Sequence, residues 1–169
     1  ADAIRKFMHP SRKNFLSPFL MKGMKEAVEL IEQARDEGRT VVVFGDYDAD
    51  GICASSIMYY ALKEYGIEAT IYVPERADGY GLSEEAVDKI FEECQPELFI
   101  TVDCGISCAK EAQYIYELGA DVIVTDHHEA GQQLPNAIAI INPKVYPELE
   151  DLQLLAGAGA AFKPSHAFI

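Results

Sequence analysis

Tryptophan is absent from this 169-residue chain, and cysteine is scarce. The four thiols, Cys53, Cys94, Cys104 and Cys108, form no CxxC pair. Cys104 and Cys108 stand four residues apart, with no second pair at zinc-site spacing beside them. Free thiols in a reducing compartment are therefore expected. No apolar run approaches the ~18 residues of a membrane span. The N-terminus ADAIRKFMHPSRK also lacks the apolar stretch of a secretory leader, so a cytoplasmic location is expected. Internal repeats and low-complexity segments are missing too. Basic side chains are few: 14 Lys and Arg stand against 28 Asp and Glu, a net charge of −14. That balance argues against a protein that coats nucleic acid, which would be basic. It leaves room for an enzyme whose carboxylates hold cations that in turn meet phosphate.

What is present is globular. Hydrophobic residues make up 49% and charged residues 25%, enough for one domain with its own core. The charge is uneven. Residues 1–25 hold six basic side chains (Arg5, Lys6, Arg12, Lys13, Lys22, Lys25) and one acid, Asp2. The remaining 144 residues hold 8 basic and 27 acidic ones. Residues 1–21 read as a basic N-terminal arm on an acidic body spanning 22–169. Such an arm reaches toward phosphate; the alternative is a solvated tail.

Helical and strand patterns alternate along the body. The spacing of Met24, Val28, Leu30, Ile31 and Ala34 predicts a helix over 22–37, stopped at Gly38. TVVVFG (40–45) is a continuous β-branched and apolar run, the pattern of a strand buried on both faces. A helix is predicted from Ile52 to Glu64, a strand over Ala69–Val73, and a loop over 74–83. Ser83 is the candidate cap of a helix from Glu84 to Glu93. LFITV (98–102) is a third strand, followed by a helix capped by Ser107 and ending at Leu118. DVIVT (121–125) and AIAII (137–141) are the fourth and fifth strands. The apolar, Gly/Ala-rich stretch from Leu152 to Phe168 begins another helix. Strands alternating with helices of this length predict an α/β fold: a three-layer, mainly parallel five-stranded sheet with helices on both faces.

Strands one, three, four and five each end in polar residues: Asp46-Tyr47-Asp48-Ala49-Asp50-Gly51, Asp103, Asp126-His127-His128, and Asn142. Open α/β sheets bind ligands just outside the carboxyl ends of their strands, so these clusters converge on one site. Asp46, Asp48 and Asp50 would repel one another without cations. Hard carboxylate oxygens suit Mg²⁺ or Mn²⁺, and added imidazole favours Mn²⁺. The competing reading is an Asx turn that caps the next helix. A calcium EF-hand is excluded, because the twelfth loop position is Ile57 rather than Glu and a strand precedes the loop. Adjacent histidines point in different directions, so one can bind metal while the other faces substrate. Two cations among Asp48, Asp50, Asp103 and His127 would suit an in-line phosphoryl displacement.

The segments GDYDADG (45–51), VDCGIS (102–107), VTDHHE (124–129) and INPK (141–144), in that order and spacing, resemble the DHH phosphoesterase superfamily. FLMKGM (19–24), ERADGYGLS (75–83) and LAGAGAAFK (155–163) extend the likeness to its branch of 5′→3′ single-stranded-DNA exonucleases, over residues 15–163. The resemblance implies two ions, Mn²⁺ or Mg²⁺, held by Asp46, Asp48, Asp50, Asp103 and His127, with Asp103 bridging. It implies that His128 contacts the scissile phosphate and that Asp126 holds a histidine in its tautomer. Arg76 and Tyr80 are candidates for gripping the nucleotide of a single-stranded DNA partner, against the alternative of an ordinary surface loop. Related activities on short oligonucleotides or cyclic dinucleotides, or a non-catalytic replication scaffold, are the alternatives.

Two departures stand out. A histidine that many relatives place four residues before the aspartate corresponding to Asp48 is Phe44 here, and Asp46 is the candidate substitute. Motifs that the family carries later are also missing: a further metal aspartate, the substrate-gripping DHHA1 domain and an OB-type fold. The chain is therefore expected to be an N-terminal piece of a longer enzyme and to need the later domains as partners. The ending PSHAFI departs as well, and Pro164 is expected to interrupt the last helix.

Overall fold

The computed structural model describes residues 2–9, 11–75, 81–145 and 150–169. Its helices are α1 (Asp2–Met8), α2 (Met24–Glu37), α3 (Ala49–Glu64), α4 (Glu84–Cys94), α5 (Ala109–Glu117), α6 (Glu150–Gln153) and α7 (Gly157–Phe168). Its strands are β1 (Val41–Gly45), β2 (Ala69–Tyr72), β3 (Leu98–Val102), β4 (Asp121–Thr125) and β5 (Ala139–Ile141). All four strand pairings are parallel, in the order β2-β1-β3-β4-β5. Every residue of β1 and β3 is buried, as their unbroken apolar runs require.

Alternate residues of these strands serve two cores. Val41, Val43, Ile100, Val102 and Ile123 pack with α2, α3 and α7. Val42, Phe44, Phe99, Val122 and Val124 face the other way, toward α4 and α5. The result is the three-layer parallel architecture predicted from the sequence. The strand order reverses between β1 and β3, since β2 lies on one side of β1 while β3, β4 and β5 follow on the other. A crevice opens at such a switch point, above the carboxyl ends of the strands.

Local chemistry sets the boundaries. Gly38 ends α2 in the left-handed conformation, φ 66°. The Ser83 hydroxyl accepts from the Ala86 amide at the start of α4, as predicted. Besides shifts of one or two residues at the ends of elements such as β2 and β5, and the division of the stretch after Leu152 into α6 and α7, three details differ from the sequence reading. First, α3 begins at Ala49 rather than Ile52, because the Asp48 carboxylate accepts from the Asp50 and Gly51 amides and draws residues 49–51 into the first turn. Second, Cys108 and not Ser107 occupies the cap position of α5, and its side chain makes no capping bond. Third, α7 runs through Pro164 to Phe168. Proline removes one helical N–H, at a cost of about 3 kcal/mol. Ala160, Ala161 and Phe168 are buried on this helix, against α3 and α2, and that burial offsets the loss.

Packing of the body reaches back beyond residue 22. Met21 and Pro18 are buried, and the buried Lys163 ammonium donates to the Leu16 carbonyl at 2.8 Å. Ahead of this, Arg5, Arg12 and Lys13 stand exposed. All four cysteines are free thiols. Among the described residues, no helix is long and apolar enough to cross a membrane.

Candidate metal centre

The site forms where β1, β3 and β4 end. Asp46 directly follows β1, Asp103 follows β3 and Asp126 follows β4, and all three are buried. Their backbones extend the sheet by one residue. The Asp103 amide donates to Thr125 O and the Asp126 amide to Ile141 O, both at 3.0 Å. Beyond Val102 the chain turns sharply. Asp103 takes φ 57° and Gly105 φ 103°, the left-handed region that Asp tolerates and Gly occupies freely.

Asp46, Asp48 and Asp103 each offer a carboxylate oxygen within 4.8 Å of the others. Asp103, His127 and His128 form a second such group. His127 Nε2 stands 3.1 Å from Asp103 Oδ1 and 3.7 Å from Asp50 Oδ2. The approach to Asp103 is close but does not follow a hydrogen-bond direction. Asp103 Oδ1 is thus one of two buried side-chain oxygens without a hydrogen-bond partner among the described residues, the other being Ser55 Oγ. An orphaned carboxylate oxygen at the centre of a donor cluster is the signature expected of a cation cradle. Burial, followed by the neighbouring charges of Asp50 and Asp48, pushes the Asp103 carboxyl up to about 7. Burial raises Asp46 as well, opposed by the Tyr47 amide that donates to its Oδ1.

Asp126 plays a different part. Its Oδ2 accepts from the Ile106 amide, and its Oδ1 accepts from the amides of His127 and His128. The same Oδ1 lies 2.7 Å from His128 Nδ1. An ionised carboxylate only accepts, so Nδ1 carries the hydrogen of this contact. Asn142, at the end of β5, fixes the same histidine from its other side by donating to His128 O at 3.0 Å. Beside His128 a recess of about 500 Å³ opens, floored by Ile106, Ser107 and Cys108.

The residues predicted from the sequence therefore divide. Asp46, Asp48, Asp103, His127 and His128 supply the donor groups. Asp50 stands at their edge, and Asp126 orients from beneath. Arg76 and Tyr80 lie outside the described residues. Sequence reasoning missed the start of α7. The amides of Gly157 and Ala158 donate to Asp50 Oδ2 and Oδ1, each at 2.8 Å, across 107 and 108 residues of chain. The paired glycines of LAGAGAAFK were the available signal.

Known proteins resemble this arrangement. A family model described as the DHH family, N-terminal domain, matches residues 40–166. The single-stranded-DNA-specific exonuclease RecJ of Bacillus subtilis is 44% identical over 174 residues, covering 100% of this chain and 22% of that protein. A crystal structure of exonuclease RecJ bound to manganese superposes with a TM-score of 0.82 at 37% identity, covering 91% of this chain and 39% of that one. Thermus thermophilus RecJ in complex with Mn²⁺ gives 0.78 at 34% identity, covering 92% and 22%. The chain spans about a fifth of the length of the curated relatives it matches.

Proposed function

Because this chain belongs to the DHH family, we propose that it carries the metal-binding part of a cytoplasmic phosphodiesterase that degrades single-stranded DNA from its 5′ end in recombination and repair. The observation that carries this reading is the buried Asp103 oxygen that takes no hydrogen bond among the described residues, set among Asp46, Asp48, His127 and His128 at the switch point of the sheet. The names of the relatives and the manganese-bound neighbours support the substrate class and the cation.

Asp46, Asp48 and Asp103 would hold one Mn²⁺ or Mg²⁺, and Asp103, Asp50 and His127 the second. When bound, the two ions supply a deprotonated water near neutral pH and neutralise charge on the phosphate. The chain's own residues do the rest. His128, its Nδ1 tied to Asp126, would direct Nε2–H of the imidazolium toward a phosphoryl oxygen. Asp126, pinned by three backbone amides, keeps that ring from turning. Asp103, buried, excludes water from one wall of the site. Arg76 and Tyr80 would pair with a phosphate and stack on a base. The later domains of the longer protein would close over the strand.

Calorimetric titration of Mn²⁺ into this chain tests the reading. One or two ions should bind. Asp103→Ala should abolish binding, and Asp46→Ala should weaken it less, since only Asp103 serves both positions. Equal loss in the two variants would sink the bridging assignment. His128→Ala should retain Mn²⁺ yet remove hydrolysis of 5′-labelled single strands by the longer protein. Loss of metal in that variant would exchange the roles of the two histidines.

A further inference from the structure

The first turn of α7 packs directly against the donor cluster. Its cap residue, Ala156, supplies no side-chain hydrogen bond. The first amides of the helix instead reach Asp50, a carboxylate on α3 more than a hundred residues away in sequence. This is a helix cap provided by another helix, and it engages both oxygens of a residue that faces His127. A carboxylate has about four lone-pair positions. The two amides take two, which leaves two, and His127 Nε2 stands 3.7 Å from Oδ2.

Gly157 adds a second constraint. It is buried, and a Cβ there would fall on the carboxylate of Asp103. Its φ is not in the left-handed region, so backbone freedom is not what requires glycine. Space is: the Asp103 head stands where any other residue would place its side chain. Gly159, one turn position further, differs. A Cβ there would meet the flexible side chain of Leu155 at 3.0 Å.

We propose that the N-terminus of α7 is a positioning wall of the metal centre. Gly157 and Ala158 hold Asp50 through their amides, while the missing side chain of Gly157 makes room for Asp103. Seating of α7 and binding of cation then belong to one equilibrium. Neither Gly157 nor Ala158 touches substrate in this account; they act through the two aspartates. The inference rests on the metal-centre reading above, and the test separates the two.

Mn²⁺ affinity would be measured by calorimetry for the wild-type chain, Gly157→Ala and Gly159→Ala, with thermal melts in chelator as the folding control. Gly157→Ala should bind at least tenfold more weakly, and Gly159→Ala within twofold of wild type. Hydrogen exchange on the wild-type chain supplies a readout that needs no variant. Saturating Mn²⁺ should slow exchange at the amides of Gly157 and Ala158 severalfold. Wild-type affinity in Gly157→Ala, or exchange at those amides unchanged by Mn²⁺, would overturn the inference alone. Failure of the wild-type chain to bind Mn²⁺ would overturn the metal-centre reading and this inference with it.

Discussion

Asp103 stands where an ionised carboxylate is costly: buried, beside Asp50 and Asp48, with one oxygen unpartnered. Its carboxyl titrates near 7 in the folded chain, against an ordinary 3.8. The folded state therefore holds a proton that the unfolded state has released, and metal-free stability falls as pH rises from about 4 to about 7. Asp46, raised by burial, adds to the same slope. In chelator, the melting temperature should drop between pH 5 and pH 8, and Asp103→Asn should flatten that drop. An undiminished slope in the variant would assign the pH dependence to other groups. The same charge cost would favour a cation here, which would remove the repulsion that the fold alone leaves in place.

At the scale of elements, close approach of α3 to β1 brings Asp46 and Asp48 toward Asp103. A Cβ at Gly51 would run into the backbone of Asp46, and one at Gly45 into the Ser55 hydroxyl. Gly45→Ala should thus destabilise the chain by roughly 1–3 kcal/mol through overpacking. Ser55 Oγ has no hydrogen-bond partner among the described residues, so Ser55→Ala should cost little by itself. Combined with Gly45→Ala, it should restore much of the loss, a coupling that urea unfolding of the double-mutant cycle reads directly. Additive losses would show that the helix has shifted instead. On the same edge of the sheet, next to Gly81 and Leu82 of the recess beside His128, Ser83→Ala removes the cap of α4 and should cost about 1 kcal/mol.

Over the whole molecule, the net negative charge lies on the body, while the N-terminal segment carries a surplus of cations, Arg5, Arg12 and Lys13 among them exposed. A body of this sign would repel a phosphate strand except where cations occupied the cluster, and the arm is the candidate for the complementary attraction. Removing residues 1–14 deletes four basic side chains, Arg5, Lys6, Arg12 and Lys13. If all four meet phosphate, the slope of log affinity for single strands against log salt should shrink by about 3. An unchanged slope, measured by fluorescence anisotropy, would make the arm a solvated tail. The packed stretch from Leu16 to Met21 is left in place by this truncation, so the core is not opened.

The strand runs and the polar residues at their ends were legible in the sequence because each depends on a local signal. Buried parallel strands must be continuously apolar, and β3 and β4 fall where LFITV and DVIVT place them. Parallel topology then collects Asp46, Asp103 and Asp126 at one edge without further information. Tertiary structure decided what those groups do there. Asp126 became an orienting acceptor because the turn after β3 aims the Ile106 amide at it. Asp50 became the cap of a helix that no spacing rule connects to it, since α7 returns over α3 only after every other element has been laid down. Pro164 stays inside that helix for the same reason: packing against α3 and α2 outweighs one lost hydrogen bond, and neither neighbour is visible from the residues around the proline.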